Sequence, residues 1–108
     1  MLDWRLALAK DGEIVRDSKG EQIGYRRGDE LRSVGGELVG TVRDNGWIRE
    51  VRNARGELVY TVEKSPFWNA EEVRNARGEL VGYRHASEEG YIRNIQGVYE
   101  GEAKTERW

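Results

Sequence analysis

The sequence predicts an all-β protein of repeated antiparallel β-hairpins, arranged around an axis as a shallow closed barrel. Three observations predict it. The nine residues Val51-Arg52-Asn53-Ala54-Arg55-Gly56-Glu57-Leu58-Val59 return unchanged as Val73-Arg74-Asn75-Ala76-Arg77-Gly78-Glu79-Leu80-Val81, and looser versions run from Val15 to Ile23, Leu31 to Val39 and Ile92 to Glu100. Each copy is centred on the residues of a tight turn. The links between copies carry turn signals of their own, Arg27-Gly28-Asp29, Asp44-Asn45-Gly46 and Glu88-Glu89-Gly90, which leaves no room for a helix.

Taken in order, the chain opens with Trp4 to Ala9, whose loose alternation before Lys10-Asp11-Gly12 predicts a lone first strand. Pairing that strand with the last one, near Tyr99 to Lys104, would complete a ring and remove exposed edges. The copies start near 15, 31, 51, 73 and 92, spacings too uneven for a rigid solenoid. Units this short cannot each bury a core, so residues 1–108 are expected to form a single domain of about five hairpins.

Within each copy, Asn53-Ala54-Arg55-Gly56 has the residues of a type I turn followed by a glycine bulge. Asn bonds its own backbone, and Gly tolerates positive φ. That turn alone sets Arg52 opposite Leu58 and Val51 opposite Val59. One face then collects Val51, Val59 and Thr61, with Val73, Val81 and Tyr83, Val15, Ile23 and Tyr25, and Leu31, Val39 and Thr41 as equivalents. This is the face expected to seek the core. Glycine recurs in the returning strand at Gly24, Gly40, Gly82 and Gly101, with Tyr60 the exception, and marks a bend or a close backbone approach. The fifth copy departs from the pattern, with Glu100 and Glu102 where apolar residues are expected.

Composition narrows the function classes. The chain of 108 residues is 35% charged with a net charge of -2, so no basic field draws it to nucleic acid or an anionic membrane. It has no cysteine for a disulfide or thiolate site, and no apolar run of membrane-spanning or signal-peptide length. With Met1 at its start, an intact soluble protein in the cytoplasm is the expectation, with neither metal nor cofactor.

Candidate chemistry is sparse. His85 is the only histidine and sits among polar residues; Ser87 nearby does not make a triad, so a solvated histidine and no catalysis are expected. Gly35-Gly36-Glu37-Leu38-Val39-Gly40 lacks the spacing of a phosphate cradle and suits a turn and a strand bend. Glu21, Glu37, Glu57 and Glu79 recur after each turn glycine, one per hairpin, as solvated charges rather than a hydrolytic pair. Arg16, Arg32, Arg52, Arg74 and Arg93 occupy one position in all five copies. Pointing inward they would form an anion site; pointing outward they would pair with Glu30, Glu50 or Glu72, which the register favours. Tyr25 and Tyr83 share another position, and Trp47 and Tyr91 each follow a link glycine, either as stacking platforms or as interface filling. The link Ser65-Pro66-Phe67-Trp68-Asn69 is the longest, and Phe67 with Trp68 suggests a contact surface for a partner or a second copy, against simple capping of the core.

The stretch Val73 to Arg84 and its four relatives resemble the repeats of the β-flower family, short hairpins set like petals about a central axis, four-fold members included. The resemblance covers roughly residues 10–104 and implies a fold without a settled activity or any catalytic residue; the petal count stays open. Asn45-Gly46-Trp47-Ile48 and Glu89-Gly90-Tyr91-Ile92 are also similar to bacterial Trp-Gly repeats, hairpin arrays used mainly for binding. The expected function is a non-catalytic binding or scaffold module, self-association included. The alternative is a small-ligand binder with a central pocket, using tyrosine stacking for a sugar or apolar ligand, or the arginine ring for an anion such as a nucleotide.

Overall fold

The computed structural model describes residues 2–105; Met1 and 106–108, counted within the expected domain, lie outside them. Ten antiparallel strands close into one barrel. They are β1 (Glu13–Asp17), β2 (Gln22–Arg27), β3 (Glu30–Arg32), β4 (Leu38–Asn45), β5 (Ile48–Asn53), β6 (Leu58–Lys64), β7 (Ala70–Asn75), β8 (Leu80–His85), β9 (Tyr91–Asn94) and β10 (Tyr99–Thr105). Every strand pairs with its sequence neighbour, and β1 pairs with β10 to close the ring. The five copies are the hairpins β1–β2, β3–β4, β5–β6, β7–β8 and β9–β10. Their tight turns lie at one end of the barrel, here the turn end, and the links between hairpins lie at the other, the link end.

The turns have the predicted form. Gly56 N–H donates to the Asn53 carbonyl at 2.9 Å, Gly56 has φ 84°, and Asn53 Oδ1 accepts the amides of Arg55 and Glu57 at 2.9 and 3.0 Å. The register beyond them differs from the expectation. Arg52 does face Leu58, but Val51 faces Tyr60, because a second irregularity in the returning strand leaves Val59 unpaired. The same shift sets Val15 opposite Gly24, Leu31 opposite Gly40, Val73 opposite Gly82 and Ile92 opposite Gly101. A one-residue slip exchanges the faces of everything beyond it. Thr41, Thr61, Tyr25 and Tyr83 therefore turn outward, while Val42, Val62 and Ala103 are buried inside. The fifth copy is not decayed at its core positions, which are Gly101 and Ala103 and not Glu100 and Glu102.

The first strand expected at Trp4 to Ala9 does not exist. Trp4–Leu8 is a 3-10 helix, and Leu6, Ala7, Leu8 and Ala9 are all buried among the barrel's core residues. Physically, about eight strands enclose a lumen that side chains alone can fill, so a ten-stranded ring has room for more. A segment surrounded on every side has no use for a strand's polar face, and it has no ladder partner for its backbone. Local bonds meet part of that need: Asp3 caps the helix by accepting Arg5 N–H at 2.9 Å, and Ala9 N–H donates to the Leu6 carbonyl at 3.2 Å. The inward glycines make the room. A Cβ on Gly82 would collide with the Trp4 indole, and one on Gly24 would come 3.0 Å from a Leu6 methyl. Closure falls instead to β1, with Val15 facing Ala103.

A second 3-10 helix, Ala86–Glu88, occupies a link for which no helix was expected. No helix of the described residues is long and apolar enough to cross a membrane.

Candidate functional site

The five recurrent arginines do not converge. Each lies on the outer face and bends back over its own turn. Arg16, Arg32, Arg52, Arg74 and Arg93 donate through Nη1 to the carbonyls of Gly20, Gly36, Gly56, Gly78 and Gly97 at 3.0, 2.8, 3.1, 3.0 and 3.0 Å. Arg32, Arg52 and Arg74 also meet Glu30, Glu50 and Glu72 at 2.8, 3.9 and 3.4 Å, and Arg93 meets Glu88 at 3.0 Å. Repetition here marks a turn staple, so the inward anion ring is not formed. Tyr25 and Tyr83 likewise lie outside, where they cannot line a central pocket. The centre is filled by the N-terminal helix.

A different set of arginines points inward: Arg26 and Arg84 close equivalent Gly-Tyr-Arg runs, whereas Arg49 has no counterpart at its repeat position. Arg49 donates to the Ala7 carbonyl at 2.9 Å, Arg84 to Leu8 at 2.9 Å and Arg26 to Ala9 at 3.2 Å. Three guanidinium groups thus take the consecutive carbonyls left open at the end of the buried helix. Their counter-charges are Glu13, which binds Arg84 through both oxygens at 2.6 and 2.9 Å, Asp44, which meets Arg26 at 3.6 Å and Arg49 at 3.4 Å, and Glu71, which meets Arg49 at 3.3 Å. Burial pushes the Glu13 carboxyl up, but the Arg84 bonds and the Lys10 amide outweigh it and hold the group below its ordinary value.

The link end therefore carries an ionic mouth. A cavity of about 250 Å³ opens there among Lys10, Lys64, Asn69, Ala70, Glu71, Arg84 and Ala86. A second, of about 240 Å³, shares Lys64 and Glu71 with it and is bounded by Asp44, Gly46, Trp47, Arg49, Val62 and Glu63. At the turn end a larger groove of about 470 Å³ runs over Leu2, Leu38, Val39, Val59 and Tyr60. Among the described residues no group of His, Cys, Asp and Glu is placed to hold a metal ion.

No protein-family model, curated protein or solved structure matches this chain. The candidate site consequently rests on geometry alone.

The aromatic residues of the longest link part company. Trp68 folds back onto its own sheet, edge-on to Tyr83 at 4.5 Å and to His85 at 5.6 Å, and its Nε1 donates to Glu72 at 3.1 Å. It is 37% exposed and packs on the outer face of its own sheet, where it neither caps the core nor stands free. Phe67 beside it is 93% exposed, and Trp47, on the preceding link between hairpins, is 85% exposed. Trp47 was legible only as an aromatic after a link glycine. His85 Nδ1 accepts Ser87 N–H at 3.2 Å and lies 2.7 Å from Ser87 Oγ. That contact spans two residues and caps the short helix Ala86–Glu88; among the described residues no carboxylate is hydrogen-bonded to the ring to orient it as a triad requires.

Proposed function

We propose that this chain is a non-catalytic binding module that associates with a second copy of itself through the link end of the barrel, with Trp47 and Phe67 at the contact. The observation that carries the proposal is the near-complete exposure of two large rings on consecutive hairpin links at one end of the molecule. Indole and phenyl rings bury large areas when covered, and aromatic residues are enriched at the centres of interfaces. Closure of the barrel leaves no free strand edge among β1–β10, so association by strand addition is not available and side chains must supply the contact. The same end mixes signs, with Asp44 and Glu63 beside Lys64 and Arg49, which suits the self-complementary pairing that a two-fold contact needs. Membership of the β-flower family and a cytoplasmic location belong to the same proposal; five hairpins around a filled axis support the first.

Sedimentation velocity across a range of concentrations tests it. Wild-type chain is expected to shift from monomer to dimer with rising concentration, and Trp47→Ser with Phe67→Ser to remain monomeric with an unchanged melting temperature. A concentration-independent monomer, or a dimer indifferent to both substitutions, would sink the proposal.

A further inference from the structure

The 250 Å³ cavity at the link end has walls whose hydrogen-bonding capacity the chain itself leaves unused. Glu71 is the centre of it. Its Oε2 takes Arg49, but its Oε1 is buried with no donor in reach. A buried carboxylate oxygen without a partner is costly, and such a group calls for a donor from outside the chain. Lys64 stands directly across the β6–β7 ladder from Glu71. Neither its ammonium nor that of Lys10 forms an ion pair among the described residues, and the Asn69 carboxamide makes no side-chain hydrogen bond there. Arg84, on the same wall, spends three of its N–H groups on Glu13 and the Leu8 carbonyl and adds positive charge. The walls therefore offer an acceptor that lacks a donor on one side and, on the other, two ammonium groups without a direct ion pair, Lys10 feeling the charge of Glu13 from a distance.

The positions are held firmly. Link 65–69 is fixed by Ser65 N–H to the Ala70 carbonyl and Ala86 N–H to the Asn69 carbonyl, both 2.9 Å. Glu71 is anchored by Arg49, itself tied to the buried helix. At roughly 30 Å³ per water the space holds about eight waters, so a molecule of about that many heavy atoms fits.

We propose that this cavity binds a small zwitterion of the α-amino acid class, the ammonium group donating to Glu71 Oε1 and the carboxylate accepting from Lys64 and Lys10. Asn69 completes the site as a carboxamide able to meet either end. Neither Trp47 nor Phe67 lines this cavity, but Lys64 and Glu71 also border the adjoining one that Trp47 lines, so the site is tested on the monomeric chain carrying Trp47→Ser and Phe67→Ser as well as on wild type.

The test is an amide NMR titration of the uniformly labelled full chain with L-alanine, propionate and propylammonium. L-Alanine is expected to give saturable shifts centred on Lys64, Asn69, Glu71 and Ala86. The two half-ligands are expected to bind about tenfold more weakly, the loss of one charge-assisted bond. Glu71→Gln should bring L-alanine down to the level of propionate, and Lys64→Met down to that of propylammonium. The chain carrying both Trp47→Ser and Phe67→Ser, expected to be monomeric, should give the same L-alanine titration as the wild-type monomer at low concentration. No saturable shift with L-alanine, shifts that map elsewhere, or propionate binding as tightly as L-alanine would each overturn the site. The ligand series on the wild-type chain decides the matter even if a variant fails to fold.

Discussion

Two sets of arginines sit on the same barrel and do different things. Arg16, Arg32, Arg52, Arg74 and Arg93 repeat in every hairpin, lie outside and close over their own turns. Arg26, Arg49 and Arg84 do not repeat as a set, point inward and hold the carbonyl end of the buried helix from far along the chain. Each copy of a repeat sees the same local neighbours, so a repeated residue can serve a local bond in every copy. A helix inside the barrel presents different atoms to each hairpin, so its partners have to differ. Repetition thus marked the turn staples and most of the lumen's lining alike, the inward valines and glycines included, while Arg49, the one inward arginine without a repeat counterpart, was marked by a departure from it.

The largest test of that contrast compares Arg84 with Arg74. Arg84→Met leaves Glu13 buried without its bidentate partner, and a loss of about 3–5 kcal/mol is expected; Arg74→Met removes an exposed staple worth at most about 1 kcal/mol. Urea denaturation of both variants checks it, and equal losses would erase the distinction.

A second test uses pH. Glu13 is held below its ordinary value in the folded chain, despite burial, by Arg84 and the Lys10 amide. A depressed folded-state value means that its stabilisation is fully present above the unfolded glutamate range and is lost as pH falls through the folded value. Wild type is therefore expected to be more stable than Glu13→Gln near neutrality, with the gap closing in acid. A gap that does not change with pH, followed by chemical denaturation at stepped pH, would contradict this account.

The smallest effect is at Tyr60, where the other four hairpins have glycine. Its hydroxyl donates to the Leu2 carbonyl at 3.0 Å, and burial, followed by the charge of Asp3, raises its pKa so that it stays a protonated donor. Tyr60→Phe keeps the ring and is expected to cost about 1 kcal/mol, measured by thermal melting. No cost at all would mean that this end of the buried segment is held by packing alone.

Much of the fold was legible because it is local. The turn at Asn53 to Gly56 needs only residues within five positions of one another, and its four relatives follow the same chemistry. The pairing of Arg32, Arg52 and Arg74 with Glu30, Glu50 and Glu72 was legible for the same reason. Less of the candidate site could be read. Glu13 and Glu71 look like surface acids in sequence because they are charged, yet each stands two residues before a core valine, Val15 or Val73, on a strand with a regular ladder to β10 or β6, so alternation puts both on the inner face. Trp68 and Phe67 are neighbours with similar side chains, yet one finds Tyr83 and the other finds solvent.

By itself the sequence determined an all-β chain of five turn-centred hairpins, because each turn is specified by a few adjacent residues and the hairpins need each other to cover their apolar faces. Only the tertiary structure decided that Val59 and its equivalents are bulged out of the ladder and that Trp4–Leu8 is a helix in the lumen. It also decided that Glu71 is left with an empty side at the link end. The reason is physical: the run Leu58-Val59-Tyr60 is apolar at every position, so alternation cannot say which residue faces inward. What faces inward depends on what fills the barrel, and that exists only once the ring has closed.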